Sequence, residues 1–296
     1  MERRTRRLRR LFSLSAPGRR ELAAVAVALA VIPVLIAVAA AQPIIVRREA
    51  VVQREDAQAF FVLDTSLSMS AQNGPDAPTR LERAERDVET LLPQLGDIPV
   101  GLATMTDRVL PNLMPTTNDA LIRRVIDESI GINEPPPSQP YPVLATSLSN
   151  ALFPLPKSNL FPVGMRHPIL VVFTDGESAP LPTSGYGGLA ADQMTIPPLF
   201  VHVSAPNERV YVNGKVDARY HPDPQSGAVL DQFASATHGQ VFGENDLSGL
   251  VHTILTEAGP VRAKTRILGF ERVPLGPWVL LAGIIPLGFL FWRRNL

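Results

Sequence analysis

The sequence predicts an α/β fold, a mainly parallel sheet with helices on both faces, flanked by two membrane-spanning helices. Strand-like apolar runs alternate with amphipathic helical segments from Phe60 onward, which is typical of a parallel sheet covered by helices. Two of the runs, Phe60–Leu63 and Ile169–Phe173, lead directly into the acidic residues Asp64 and Asp175. Ligands of open α/β sheets bind beyond the carboxyl ends of the strands, so this edge of the sheet is the predicted ligand site.

Capping and periodicity signals predict the remaining elements. Thr79 and Glu82 form a capping box at the start of a helix with one apolar face, and Pro93 predicts that this helix ends before it. Asn213-Gly214, between alternating residues, predicts a hairpin. The apolar face consists of Leu81, Ala84, Val88, Leu91 and Leu92; further strands are predicted over Val100–Met105 and Leu199–Val203, and further helices over Thr117–Ile130, Ala228–Thr237 and Asp246–Ala258.

The segment that follows the first strand has the spacing of a cation site. In extended backbone every second side chain points the same way, so Asp64, Ser66 and Ser68 present three oxygens to one point. Such hard oxygen ligands suit Mg²⁺, Mn²⁺ or Ca²⁺ rather than zinc. By itself this pattern also fits a turn with a helix cap.

Two later segments extend the pattern. Thr146 lies at a predicted helix start, and Thr174-Asp175-Gly176 ends the second apolar run. In this order the three segments resemble those of the von Willebrand factor A (vWA) family. In that family, three such segments form the metal-ion-dependent adhesion site (MIDAS). The resemblance implies a Rossmann-like domain with a divalent cation, Mg²⁺ first and Mn²⁺ or Ca²⁺ as alternatives. The metal ligands that it implies are Asp64, Ser66, Ser68, Thr146 and Asp175.

Two apolar stretches predict a two-pass membrane protein. Eight Arg residues within positions 1–20 precede the uncharged stretch 22–41, and a second uncharged stretch, 273–292, is followed by Arg293 and Arg294. Each stretch is long enough to cross a bilayer, and flanking Arg residues stay in the cytoplasm, so both termini are predicted to be cytoplasmic. A cleaved signal peptide is the alternative for the first stretch. The predicted organisation is a basic N-terminus (1–20), a transmembrane helix (21–42), an extracytoplasmic vWA domain (56–260), a second transmembrane helix (273–292) and a cytoplasmic tail (293–296).

Charge and cysteine content restrict the partners and the source of stability. Without the ten Arg and two Glu of the two ends, 18 basic and 26 acidic residues remain, so the predicted external domain is acidic. An acidic surface argues against a nucleic acid partner, which needs a basic patch. The chain has no cysteine, so the domain depends on its core rather than on disulfides.

The resemblance extends to one group within the vWA family. Residues 227–240 and the anchors at both ends look like membrane-anchored bacterial vWA proteins of the Bat (aerotolerance) type. This resemblance implies a functional link to a MoxR-type AAA+ ATPase and to envelope integrity or stress. The predicted topology places Asp64 on the opposite side of the membrane from a cytoplasmic ATPase.

The predicted function is metal-dependent adhesion, not enzymatic catalysis. A protein partner would donate an Asp or Glu to the cation, as in other vWA proteins. The alternatives are a metal-dependent hydrolase, with Glu177 as the candidate base, and a scaffold subunit of a membrane complex with a vestigial metal site. A serine hydrolase built from Ser66 or Ser68 with His202 or His238 lacks the Gly-x-Ser-x-Gly elbow. The stretches 135–142, 178–198 and 210–216 are candidates for partner selectivity.

Overall fold

The computed structural model describes residues 18–137, 148–152, 160–178, 194, 196–261 and 264–294. The chain divides into two units, Val51–Ile267 and Met1–Ala50 with Leu268–Leu296. In chain order the elements are α1 (Arg19–Ala40), β1 (Ile44–Arg54), β2 (Ala57–Asp64), α2 (Arg80–Leu95), β3 (Val100–Met105), β4 (Val109–Thr116), α3 (Asp119–Ser129), α4 (Leu148–Leu152), β5 (His167–Thr174), β6 (Pro198–His202), β7 (Tyr211–Val212), β8 (Lys215–Val216), α5 (Ser226–Thr237), β9 (Gln240–Gly243), α6 (Leu247–Ala258), β10 (Lys264–Pro274), α7 (Gly276–Ala282) and α8 (Ile284–Arg294).

A six-stranded sheet forms the centre of the larger unit. Its strand order is β4-β3-β2-β5-β6-β9, and only the edge strand β4 runs antiparallel to its neighbour. The first predicted strand lies at the middle of the sheet, where Phe61 pairs with Leu102 of β3 and Val171 of β5. This confirms the predicted α/β fold with its mainly parallel sheet.

The core has two layers because successive strand residues face opposite sides of the sheet. Phe61 packs on one side with residues of α2, α3 and α6, and Phe60 packs on the other with residues of α4 and α5. Burial of each such Phe stabilises the fold by about 1.5–3 kcal/mol relative to exposure. Both faces of β2 and β5 are therefore covered, which explains why their sequences are apolar without alternation.

The helix that begins at the Thr79–Glu82 capping box runs through Pro93 to Leu95, so the predicted end before the proline is wrong. Proline lacks the N–H that would bond the carbonyl four residues earlier, here that of Glu89. Nη2 of Arg123, on α3, donates to this carbonyl at 3.1 Å. The proline is tolerated because a side chain from the neighbouring helix supplies the missing donor.

The predicted hairpin is present between β6 and α5. β7 and β8 pair antiparallel around Asn213 and Gly214, whose φ angles of 52° and 74° are those of a tight hairpin turn. The antiparallel edge strand β4 and the two-stranded sheet of β1 and β10 were not predicted. β4 contains Pro111 and Pro115, which are compatible with an edge position.

Arg54 joins the beginning and the end of the larger unit. Its buried guanidinium donates from Nη2 to the carbonyl of Ala258 at 2.7 Å and from Nη1 to that of Gly259 at 3.0 Å. These carbonyls end α6 and have no partner within the helix. Asp56 balances the charge through an ion pair with Nε at 2.9 Å.

The smaller unit contains two helical stretches that are long and apolar enough to cross a membrane, Arg19–Ala40 and Gly276–Arg293. Their side chains are largely exposed, for example Ile285 at 77%. The second stretch begins at Gly276 rather than at Val273 because β10 continues to Pro274, and it consists of α7 and α8 separated by Gly283. Glu21 of α1 forms an ion pair with Arg293 of α8.

Candidate metal centre

Two neighbouring parallel strands deliver the carboxylates of the predicted site. Asp64 is the last residue of β2, and Asp175 directly follows β5; the register pairs Leu63 with Phe173. Each Asp is only 1% exposed. The sheet therefore places both carboxylates at one edge, as the sequence predicted.

The two serine hydroxyls meet beside Asp64. A 3₁₀ helix over Leu67–Ser70 turns the chain after β2. It leaves the Oγ atoms of Ser66 and Ser68 3.0 Å apart, while the backbone N–H of Ser66 donates to Asp64 Oδ1 at 2.9 Å. Three of the five predicted ligands are thus adjacent.

Thr174 connects the two strand ends. Its hydroxyl donates to Asp64 Oδ2 at 2.7 Å and accepts from the N–H of Gly176 at 3.2 Å. The N–H of Glu177 in turn donates to Asp175 Oδ1 at 2.9 Å. Donors from the ends of both strands and from the loops that follow them hold the two carboxylates in fixed orientations.

Gly176 is required by the turn after Asp175. Its φ of +73° lies in the left-handed region that favours glycine, and an added Cβ would lie 2.6 Å from the carbonyl oxygen of Ser226 on α5. The glycine therefore allows the loop after Asp175 to pack directly against the start of α5.

Thr146 lies outside the described residues. The short helix α4 begins two residues later, and the N–H of Leu148 donates to Ser178 Oγ at 2.9 Å. Ser178 belongs to the loop that contains Asp175. Of the loops predicted to select partners, most of 135–142 and of 178–198 also lies outside the described residues.

Burial beside Asp175 changes the protonation of Asp64. Burial and the negative charge of Asp175 raise the pKa of Asp64 to about 7. Burial and Asp175 also raise the pKa of Glu177. The two carboxylates of the site therefore repel each other, and a cation between them would relieve this repulsion.

A buried guanidinium lies against Asp175 and Glu177. Arg80, the first residue of α2, is 1% exposed and forms ion pairs with Asp175 (2.7 Å), Glu177 (2.7 Å) and Glu208 (2.6 Å). Burial alone lowers the pKa of Arg80, but these neighbours, Asp175 foremost, raise it, so the guanidinium stays charged. The Tyr220 hydroxyl donates to Glu177 Oε1 at 2.7 Å.

Arg80, Glu208 and Tyr220 were not among the predicted site residues. For Arg80 a signal exists: it lies four and eight residues before Ala84 and Val88, so the helical period places it on the apolar face. A charged residue on that face indicates a buried partner. Glu208 is 128 residues away from Arg80 and has no comparable local signal.

The donor set fits a hard divalent cation. Buried carboxylate and hydroxyl oxygens are the ligands that Mg²⁺, Mn²⁺ and Ca²⁺ prefer. Within the described part of the chain, no group of three or more His, Cys, Asp or Glu side chains is arranged to hold a metal. The predicted set contains only two carboxylates, so this site depends on hydroxyl ligands.

Comparison of the sequence with models of protein families and with curated proteins gives no match. Solved structures do match. BatB from Bacteroides thetaiotaomicron has a TM-score of 0.53 at 21% identity, over 69% of this chain and 100% of that one. An aerotolerance-related membrane protein from Bacteroides fragilis has a TM-score of 0.51 at 21% identity, over 68% of this chain and 98% of that one. The chain therefore has a von Willebrand factor A-like fold, similar to that of these two structures.

Proposed function

We propose that this protein is a membrane-anchored vWA protein that mediates metal-dependent protein–protein interaction in the cell envelope. Its MIDAS would consist of Asp64, Ser66, Ser68, Thr146 and Asp175, and would bind Mg²⁺, with Mn²⁺ or Ca²⁺ as alternatives. A partner protein would complete the coordination with an Asp or Glu side chain. The observation that carries this proposal is the meeting of Asp64, Ser66 and Ser68 at the strand edge that also holds Asp175.

The charge balance of the site supports a divalent cation. Five carboxylates lie in or beside one cluster with two guanidinium groups, which leaves an excess of three negative charges when all are ionised. A divalent cation would offset two of them. The carboxylates are Asp64, Asp175, Glu177, Glu208 and Glu244, and the guanidinium groups are Arg80 and Arg83.

The small number of carboxylates supports a partner ligand. Two carboxylates and three hydroxyls would leave the ion electrophilic, and Mg²⁺ keeps exchangeable positions that water or another oxygen fills. A carboxylate from a second protein is the strongest oxygen ligand available to such a position. The ion would then bridge the two proteins.

Membrane anchoring is supported by the two apolar stretches and by the membrane protein among the similar structures. The Arg residues that flank both stretches favour cytoplasmic termini and an extracytoplasmic vWA domain. We extend the proposal to a functional link with a MoxR-type AAA+ ATPase. With the vWA domain outside, that link would pass through the membrane helices or a further protein.

The surroundings of His202 favour binding over serine hydrolysis. Nε2 of His202 lies 3.1 Å from the carbonyl oxygen of Asp175, which only accepts, so Nε2 carries the proton. The same nitrogen lies 3.5 Å from Ser226 Oγ and therefore has no lone pair to activate that hydroxyl. Ser66 and Ser68 bond to each other instead.

Affinity capture tests the proposal. The full-length protein is used as bait in detergent-solubilised membranes, with Mg²⁺ or with EDTA, as wild type, Asp64→Ala and the control Asp231→Ala. Asp231 is exposed on α5 and is not a predicted ligand. We expect one protein that wild type and Asp231→Ala retain with Mg²⁺ and that EDTA or Asp64→Ala releases.

The capture experiment and a separate phosphoester assay distinguish the alternatives. Identical captures in every condition would overturn the proposal and favour a scaffold with a vestigial site. Hydrolysis of a model phosphoester that depends on Mg²⁺ and is lost in Asp64→Ala would favour the metal-dependent hydrolase.

A further inference from the structure

Arg80 is a permanent cation at the centre of the acidic cluster. Its Nη1 donates to Asp175 Oδ2 and Glu177 Oε1, both at 2.7 Å, and its Nε donates to Glu208 Oε2 at 2.6 Å. The side chain is 2% exposed in each of these ion pairs. One guanidinium thus contacts three carboxylates, including a predicted metal ligand.

The position of Arg80 is fixed from several sides. The backbone N–H of Arg80 donates to the carbonyl of Ala71 at 3.0 Å. Ala71 directly follows the 3₁₀ helix Leu67–Ser70. Ala71 packs in a small buried cluster with Val210 and Tyr220, both from the segment between β6 and α5. The guanidinium itself contacts both segments, because Nη1 donates to the carbonyl of Ser68 at 3.4 Å and to the Tyr220 hydroxyl at 3.1 Å.

A fixed positive charge beside a metal ligand opposes cation binding. The guanidinium and the incoming ion repel each other, and Asp175 Oδ2 already accepts a charge-assisted hydrogen bond from Arg80. The same guanidinium offsets the mutual repulsion of the carboxylates when no metal is bound. The site can therefore remain folded without metal, but with reduced affinity for one.

Building on the proposed function, we propose that Arg80 sets the metal affinity of the site low, so that the ion is held firmly only when the partner's carboxylate completes its coordination. Arg80 acts through Asp175 and is a positioning residue rather than a ligand. Metal and partner then bind cooperatively, since each raises the affinity for the other by the same factor. Free metal in the surroundings would not by itself saturate the site.

Electron paramagnetic resonance of free Mn²⁺ measures the affinity directly in the full-length detergent-solubilised protein. The variants are wild type, Arg80→Met, Arg80→Lys, and Arg86→Met as a matched control that removes an exposed Arg of the same helix. We expect Arg80→Met to bind Mn²⁺ about tenfold or more tightly, because the repelling charge is gone. Arg80→Lys keeps the charge and should stay near the wild-type affinity, as should Arg86→Met.

Equal or weaker Mn²⁺ binding by Arg80→Met would overturn the inference, and so would equal changes in Arg80→Met and Arg80→Lys. If Arg80→Met does not fold even with Mn²⁺, Glu208→Gln decides. This variant removes a negative charge that Arg80 now balances, so it should weaken Mn²⁺ binding at least threefold, or about 0.6 kcal/mol; an unchanged affinity would overturn the inference. Absence of Mn²⁺ binding in both the wild type and Arg80→Met would instead overturn the proposed function itself.

Discussion

Arg80 donates a hydrogen bond to Asp175 across 95 residues of sequence, at 2.7 Å and in full burial. The contact places an arginine of the first sheet-covering helix against an acid that follows β5. It makes the candidate metal centre part of a larger charged cluster that includes Glu177 and Glu208. The candidate site thus contacts charged residues that lie outside the three predicted ligand segments.

Removal of both serine hydroxyls should weaken metal binding without weakening the fold. The hydroxyls of Ser66 and Ser68 bond to each other, so Ser66→Ala with Ser68→Ala removes both partners of this bond together. We expect Mn²⁺ affinity to fall roughly ten- to hundredfold, with the melting temperature in EDTA unchanged. Wild-type affinity in the double variant would exclude the hydroxyls as ligands.

Glu85 should make the fold less stable as the pH rises. Burial, followed by the charges of Glu82, Asp127 and Glu89, raises the pKa of Glu85 from 4.5 to about 7. Between these values the folded chain holds a proton that the unfolded chain releases, so stability decreases as the pH rises from about 4.5 to 7. We expect Glu85→Gln to raise the melting temperature at pH 8 by ~2–4 °C and to leave it unchanged at pH 4. An equal effect at both pH values would contradict the assignment.

Loss of Arg54 should loosen both ends of the larger unit. Arg54→Met leaves the carbonyls of Ala258 and Gly259 without their donor and Asp56 without its buried counter-charge. We expect the free energy of unfolding to fall by about 3–5 kcal/mol, measured by denaturant titration in detergent. The control Arg166→Met removes an exposed Arg and should cost less than about 0.5 kcal/mol. A similarly small loss for Arg54→Met would contradict this role.

The donor from α3 should matter only while Pro93 is present. Arg123→Met leaves the Glu89 carbonyl without its partner, at a cost of about 1 kcal/mol. In a Pro93→Ala background the new N–H can bond that carbonyl, so Arg123→Met should cost less. A double-mutant cycle measures this coupling. Additive losses would show that Arg123 acts only through its surface ion pair with Glu89.

Local signals were sufficient for the central part of the fold. The apolar runs before Asp64 and Asp175 predicted two strands, which the structure pairs with each other, and Thr79 predicted the start of α2. Asn213-Gly214 predicted the hairpin. In each case residues within a few positions of each other determine the structure.

Contacts between distant segments were not accessible in this way. The end of α2 was misplaced because Arg123, thirty residues after Pro93, supplies the missing donor. The edge strand β4 pairs through backbone groups and has a mixed sequence. The ion pairs of Arg80 join segments that the sequence separates by up to 128 residues. For the site, the two Asp and two Ser side chains were placed correctly, whereas their metal role stays a prediction.

Mn²⁺ binding to the full-length protein, with Mg²⁺ as competitor, tests the metal site most directly. Asp64→Asn replaces one carboxylate oxygen by an amide of the same shape, and Asp231→Asn is the matched control. We predict one Mn²⁺ site in the wild type and in Asp231→Asn, displaced by Mg²⁺ and lost in Asp64→Asn. No Mn²⁺ binding in the wild type, or equal binding in Asp64→Asn, would contradict the proposal that these residues form a metal centre.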